Sequence, residues 1–184
     1  MARVRGRDLI DALDFVRQSY GESGLSKVLA QLPPATRTLF GGTLRESEWY
    51  SLGELVSFLV TAKGTLARDD SGFYRAQGFH AGQRQKASFL GVMVATPEAR
   101  EKTAATIWRM FYDVGRLLVV GTGPGGASQI HDFPTTPELC ERFAGIWEGI
   151  IGGQEHKAVA IHTRCVLRGD DCCEFRVDPV SPTP

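Results

Sequence analysis

The sequence predicts an α+β domain with a helix-rich N-terminal half and a C-terminal β-hairpin. Apolar side chains recur at helical spacing through the first 90 residues, whereas the stretches 117–133 and 157–177 each hold two β-capable runs joined by turn residues. A chain of 184 residues with 42% hydrophobic content is long enough to bury one core without disulfide bonds. We therefore expect a single domain over residues 1–179, followed by a short tail at 180–184.

The composition excludes several classes of partner. Lys and Arg together number 21, as do Asp and Glu, so the balance gives neither a nucleic-acid footprint nor a polybasic membrane patch. No apolar run reaches the roughly 18 residues of a membrane span, and the charged N-terminus does not resemble a signal peptide. We expect a cytoplasmic protein, in which the four cysteines are thiols or metal ligands rather than disulfides.

The N-terminal half reads as a short strand followed by helices. Residues 2–6 suit an entry strand, and LIDALDFVRQSY continues as a helix that we expect to end at Gly21. Further helices are predicted over SGLSKVLAQL, PATRTLF and LGELVSFLVTAKGTL, with the segment RESEWY as a connector.

The second half mixes helices with two strand pairs. GFYRAQGFHAGQRQKASF is predicted to be a helix with two interior glycines, and the next helix begins at Thr96 and Pro97, a favoured N-cap and first position. LLVVGTGPGGASQIHDF predicts a hairpin, and PTTPELCERFAGIWEGIIGG predicts a helix that ends at its two final glycines. The last strand pair turns at RGDD. The glycines at 121–126 suit a hairpin turn better than a phosphate loop, because the Lys-Ser/Thr pair of a P-loop is missing.

All four cysteines lie in the last quarter of the chain. Cys140, His162, Cys165 and Cys173 could supply the four soft or borderline ligands of a tetrahedral metal site. A turn near Gly169 would bring Cys165 and Cys173 together from adjacent segments, and the helix that contains Cys140 would add a third ligand. Cys172 is expected to point the other way.

One geometric condition limits this site. Residues three apart in a regular strand face opposite sides of a sheet, so His162 joins Cys165 only if the strand has a bulge or an irregular end. The alternative is that the cysteines are buried free thiols and that His162 is merely hydrogen-bonded.

The C-terminal third resembles the end of V4R (4-vinyl-reductase-type) domains. The resemblance is carried by CVLRGDDCCEFRV and by Cys140 followed by Gly145 and Gly149. IWRMFYDVGR and VRGRDLIDALDFVRQSYGESGL are similar to paralogous myxobacterial proteins of that group. The resemblance implies the superfamily shared by heme-based nitric-oxide sensors and Golgi-tethering subunits, an antiparallel sheet packed by helices.

The resemblance also implies a zinc ion. In V4R sensors three cysteines and one glutamate hold it; by position these are Cys140, Cys165 and Cys173, with His162 in place of the glutamate. Structural zinc is therefore the expected cofactor. Heme is not expected, because no tyrosine of the chain begins the Tyr-x-Ser-x-Arg pattern of the heme branch. Among the histidines, His80 is the one that could be considered as a heme ligand.

Four aromatic residues on two predicted helices could line a ligand pocket. They are Trp108, Phe111, Tyr112 and Trp147. Their spacing equally suits ordinary core packing, of which a pocket is often a widened part.

Together these observations predict a non-enzymatic sensor domain that binds a small apolar or aromatic molecule. Because the chain carries no output domain after the hairpin, we expect the signal to pass to a partner protein, and the family analogy implies a homodimer. The alternative is an adaptor or scaffold that resembles Golgi-tethering subunits and binds neither ligand nor metal. An enzyme is the least favoured reading, since the sequence shows no nicotinamide, flavin or nucleophile motif.

Overall fold

Six helices and two antiparallel sheets make up the part of the chain that the computed structural model describes, residues 1–121, 126–152 and 157–180. The helices are α1 Gly6–Gln31, α2 Pro34–Gly41, α3 Leu52–Leu66, α4 Phe73–Val94, α5 Pro97–Phe111 and α6 Pro137–Ile151. The strands are β1 Arg3–Arg5, β2 Trp49–Ser51, β3 Arg116–Val120, β4 Ala127–His131, β5 Lys157–Arg164 and β6 Cys173–Val180. The predicted α+β class is confirmed.

The larger sheet has four strands in the order β3-β4-β6-β5, and β1 pairs with β2 in a separate ribbon. All pairings are antiparallel. Helices cover one face of the larger sheet, where Leu117, Ile130, Phe175 and Val177 are buried in the core. Both predicted hairpins contribute to this sheet; residues 122–125 of the first turn and 181–184 of the predicted tail lie outside the described residues.

Local sequence signals set most helix starts. The side chains of Ser51, Thr96 and Thr136 accept hydrogen bonds from backbone N–H groups in the first turns of α3, α5 and α6. These caps satisfy donors that a helix N-terminus otherwise leaves without partners. Pro97 and Pro137 follow two of them at the first helical position.

The predicted end of the first helix at Gly21 is confirmed as a break within α1. Gly21 has the non-helical angles φ 71° and ψ 176°, and a second helical stretch follows it up to Gln31. Glycine adopts this positive φ without steric cost. The interpretation of RESEWY as a connector was wrong in detail, because its last two residues begin strand β2, which pairs with β1 from Arg3 to Arg5.

Glycines let α4 and α6 approach at backbone contact distance. A Cβ atom at Gly78 would collide with the backbone oxygen of Arg142, and one at Gly145 would collide with that of Arg75. Gly82 and Gly149 make the same kind of contact further along. Gly78 and Gly82 of α4 are therefore packing residues, which offsets their weak helix propensity.

An ion pair on these two helices reaches the edge of the larger sheet. Arg75 of α4 and Glu148 of α6 form a salt bridge of 2.7 Å. Arg75 also donates to the backbone oxygen of Ala160 in β5 at 2.5 Å, and Glu148 accepts from the Ala160 N–H at 3.0 Å. The outer hydrogen-bonding groups of β5 at this residue are thus satisfied by side chains.

The helices in the described ranges do not include one that is both long and apolar enough to cross a bilayer.

Candidate functional site

The structure brings the four predicted metal ligands into one cluster. One ligand atom from each of Cys140, His162, Cys165 and Cys173 lies within 4.8 Å of those of the other three. The three cysteines are buried and His162 is half-buried. Cys172 is buried outside the cluster, and all four cysteines are free thiols.

A β-bulge makes this cluster possible. In the pairing of β5 with β6, His162 lies opposite Phe175 and Arg164 lies opposite Glu174, so Thr163 is an extra residue on β5. The extra residue reverses the alternation of the strand, which is the irregularity that the sequence argument required. Cys165 follows at the end of β5, and Cys173 begins β6.

Close contacts surround the thiols. The Sγ atoms of Cys140 and Cys165 are 3.8 Å apart, and the Cys173 Sγ lies 3.9 Å from the Thr135 hydroxyl. The His162 ring stacks on Phe175 with 4.5 Å between ring centres. Burial, reinforced by the neighbouring thiols Cys173 and Cys165, raises the pKa of Cys140, and burial lowers the pKa of His162. A bound cation would favour the deprotonated thiols that such a site needs.

The four predicted pocket residues are buried in two adjoining aromatic groups. Trp108 of α5 and Tyr112, the residue that follows α5, pack with Phe133 and Phe143, at ring-centre distances of 4.4–5.9 Å. Phe111 and Trp147 instead both pack on Phe89, at 6.2 and 5.6 Å. The indole N–H of Trp108 donates to the backbone oxygen of Val114 at 2.9 Å, whereas that of Trp147 has no acceptor in the described part of the chain.

A buried polar network, absent from the sequence predictions, lies beside the aromatic groups. Arg142 of α6 is fully buried and forms a salt bridge with Asp8 of α1, which is also fully buried. Arg142 further donates to Gln77 at 2.8 Å and to the Tyr112 hydroxyl at 3.2 Å. Burial acts to lower the pKa of Arg142, but Asp8 and Tyr112 raise it overall. The network joins α1, α4, α6 and the residue that follows α5.

Asp11 lies one turn after Asp8 and is fully buried as well. Its carboxylate contacts Arg84 of α4 at 2.6 Å. Burial, together with the nearby Asp8 charge, raises the pKa of Asp11 to about 7, and Arg84 only partly opposes this rise. The sequence contains a signal for this network, because its charged residues stand next to apolar ones. Asp8 and Asp11 directly precede Leu9 and Ala12 on α1, and these apolar side chains are buried. Arg142 likewise lies between the buried residues Leu139 and Phe143 on α6.

Comparisons of sequence identify no relative: no model of a known protein family matches the chain, and no curated protein matches it. Comparison of structures does find similar proteins. An H-NOX protein from S. oneidensis in the Fe(II)NO ligation state aligns over 96% of this chain and 99% of its own, with a TM-score of 0.67 and 15% identity. The Fe(II) unliganded H-NOX protein from K. algicida covers 97% of both chains with a TM-score of 0.67 and 12% identity.

A third structure is described as an oxygen-binding H-NOX domain related to soluble guanylate cyclases. It aligns over 97% of this chain and 96% of its own, with a TM-score of 0.63 and 11% identity.

The predicted membership of the V4R family was therefore wrong, because the similar structures are H-NOX domains. The short cysteine and glycine motifs that carried the V4R resemblance were not sufficient to identify a family.

The cofactor prediction was also wrong. H-NOX domains are heme domains that bind nitric oxide or oxygen, so these neighbours give no support to zinc and conflict with the exclusion of heme. The missing tyrosine pattern was not a sufficient reason to exclude heme, since the fold of heme domains extends over nearly the whole chain.

A heme needs an axial ligand beside a slot for the macrocycle. His80 offers a buried ring nitrogen without a partner, but its ring lies against Phe15 of α1, 5.9 Å between centres. His131 bonds Gln129, and His162 belongs to the thiol cluster. The described histidines therefore do not place a ligand among the aromatic groups, and no functional step is assigned to heme. At 11–15% identity, the likeness establishes that this chain has the H-NOX fold.

Proposed function

We propose that this chain is a sensor domain that binds a small molecule and passes its signal to a partner protein. The observation that carries the proposal is the fold, which is similar along nearly its entire length to domains described as oxygen-binding or as nitric-oxide-ligated. H-NOX domains are sensing rather than catalytic domains, in agreement with the expectation of a non-enzymatic protein.

The proposed ligand is a small apolar or aromatic molecule held among Trp108, Phe111, Tyr112 and Trp147. These side chains are buried, on α5, directly after it and on α6. Tyr112 accepts a hydrogen bond from Arg142, which also pairs with Asp8 of α1. Repacking of the aromatic residues by a ligand would thus act on the contacts that join α1 to α6, and a partner that reads this arrangement would receive the signal.

Binding can be measured with the fluorescent apolar probe N-phenyl-1-naphthylamine, which brightens in apolar surroundings. Saturable binding of one probe per chain, competed by ethylbenzene, is expected. Phe111→Trp should weaken binding by filling space beside Phe89, whereas Phe40→Trp, which overpacks the separate Phe40–Phe58 stack between α2 and α3, should not. Equal affinity in the two variants would place the ligand elsewhere.

Hemin is titrated in parallel. A hemin absorption band that saturates at one equivalent per chain would make heme the ligand. Failure of both hemin and the apolar probe to bind would refute the sensor proposal and leave the adaptor alternative, which the structural neighbours do not favour.

We further propose that Cys140, His162, Cys165 and Cys173 ligate a thiophilic transition-metal ion. Three thiols and one imidazole with mutual distances under 4.8 Å can surround one such ion, for which soft donors are selective. The ion would fasten the start of α6 to the hairpin formed by β5 and β6. It would therefore have a structural role.

Cobalt(II) is a suitable probe, because thiolate coordination gives it an intense absorption. One cobalt ion per chain is expected, with loss of the thiolate band in Cys165→Ser. Cys172→Ser is the matched control, since Cys172 is an equally buried thiol that lies outside the cluster. Equal loss in both variants would refute the assignment.

The homodimer prediction is tested on the same samples by analytical ultracentrifugation.

A further inference from the structure

Trp147 has an unusual position for a tryptophan. Its side chain is 4% exposed, and its indole N–H has no hydrogen-bond acceptor among the described residues. Buried indole N–H groups usually find a partner, as Trp108 does on the neighbouring helix with the backbone oxygen of Val114. The two residues are buried to the same extent, so burial alone does not explain the difference.

The ring in contact with Trp147 is apolar. Phe89 of α4 meets the indole edge to face, with 5.6 Å between ring centres and an angle of 85°. Phe111 of α5 in turn stacks on Phe89 at 6.2 Å. Phenyl rings provide contact area but no strong acceptor.

The protein cannot readily bring an acceptor to Trp147 by shifting α6. Gly82 lies against the backbone of Ile146, and Gly149 lies against the backbones of Phe79 and Gly82. Backbone contacts on both sides of Trp147 therefore fix the helix that carries it. An orphaned donor on a fixed helix, in an apolar setting, is the arrangement of a binding site with one polar group that orients its ligand.

We infer that Trp147 is the specificity-determining donor of the ligand site, and that the ligand is an apolar or aromatic molecule with one uncharged hydrogen-bond acceptor, such as a carbonyl oxygen. This inference rests on the proposed function, which requires that an apolar molecule binds here. It adds the functional group that the ligand carries. An uncharged acceptor is proposed, because Phe89, the ring in contact with the indole, offers no countercharge to a buried anion.

Acetophenone and ethylbenzene are a matched pair of probes, since they have nearly the same shape and differ by a carbonyl oxygen. The quantity to measure is the ratio of their dissociation constants, by isothermal titration calorimetry, in the wild type and in Trp147→Phe. One hydrogen bond corresponds to about a fivefold change in this ratio. The variant should lose that factor. Trp49→Phe is the control; Trp49 lies on β2 beneath the guanidinium of Arg5, and its replacement should leave the ratio unchanged.

A second measurement does not depend on the folding of a variant. The chain has three tryptophans, and each gives one indole N–H signal in a ¹H–¹⁵N spectrum. Acetophenone should move the Trp147 signal downfield, and ethylbenzene should move it much less. If both probes bind but the ratio and the indole signal do not discriminate between them, the inference is refuted and the proposed function stands. If neither probe binds, the inference is refuted together with the proposed apolar ligand, and the hemin titration then decides whether the chain is a sensor.

Discussion

The buried carboxylate of Asp11 predicts a stability that depends on pH. The pKa of Asp11 is raised from 3.8 to about 7 by burial and by Asp8. The folded protein therefore holds this proton more tightly than the unfolded chain does. Its contribution to stability is complete below about pH 4 and is lost as the pH rises through 7. At about 1.4 kcal/mol per pKa unit, the total is about 4 kcal/mol, and more than half of it is lost between pH 5 and pH 8.

Asp11→Asn removes the ionisation but keeps the size of the side chain. Relative to the wild type, the variant should gain about 2–3 kcal/mol in free energy of unfolding as the pH rises from 5 to 8, because it cannot acquire the buried charge. Urea unfolding followed by circular dichroism measures this difference at each pH. Asp14→Asn controls for the ion pairs of Arg84, since Asp14 contacts Arg84 at 3.0 Å from a partly exposed position. Its effect should stay below about 1 kcal/mol. A flat difference between Asp11→Asn and the wild type would refute the reasoning.

Two further predictions concern the packing of α6, and urea unfolding checks both. Arg142→Leu should lower the free energy of unfolding by about 3–5 kcal/mol, because it leaves the buried charge of Asp8 without a partner. Adding Asp8→Asn should recover part of that loss. A double variant less stable than Arg142→Leu alone would contradict this. Gly78→Ala should cost about 3 kcal/mol, because its Cβ would meet the Arg142 backbone. Gly64→Ala in α3, where the Cβ meets no atom within 4 Å, should instead stabilise by about 0.5–1 kcal/mol. Similar effects of the two glycine changes would refute the close approach of α4 and α6.

Features set by neighbouring residues could be predicted from the sequence. A threonine followed by proline indicates a helix start at Thr96 and at Thr136. In the structure both side chains accept a hydrogen bond from a backbone N–H in the first turn of the helix. The β-bulge was a condition of the proposed cluster, because His162 and Cys165 cannot otherwise share one side of a strand, and the register shift at Thr163 meets it. In such cases the physical rule acts within a few residues of the chain.

Features that depend on distant segments could not be predicted. Strand β2 forms because Trp49–Ser51 finds β1, which is some 45 residues away in sequence. Asp8 and Arg142 have apolar neighbours on their helices, but the sequence does not show that the two charges meet and form a buried ion pair. Gly78 and Gly145 weaken their own helices, and the reason for each glycine is the backbone of the other helix, at Arg142 and Arg75. The choice between V4R and H-NOX was of the same kind, since it depended on the whole fold rather than on short motifs.

The ion pair of Arg75 and Glu148 has a consequence for how copies of this protein meet. Strand β5 is at the edge of the larger sheet, where exposed N–H and C=O groups could pair with a strand from another molecule. Near the middle of the strand, Arg75 donates to the Ala160 C=O and Glu148 accepts from the Ala160 N–H. These bonds hold the strand edge to α4 and α6. A second chain would have to break a salt bridge before it could extend the sheet. The fold therefore resists strand-by-strand aggregation on a side where Val159 and Ile161 would otherwise favour it.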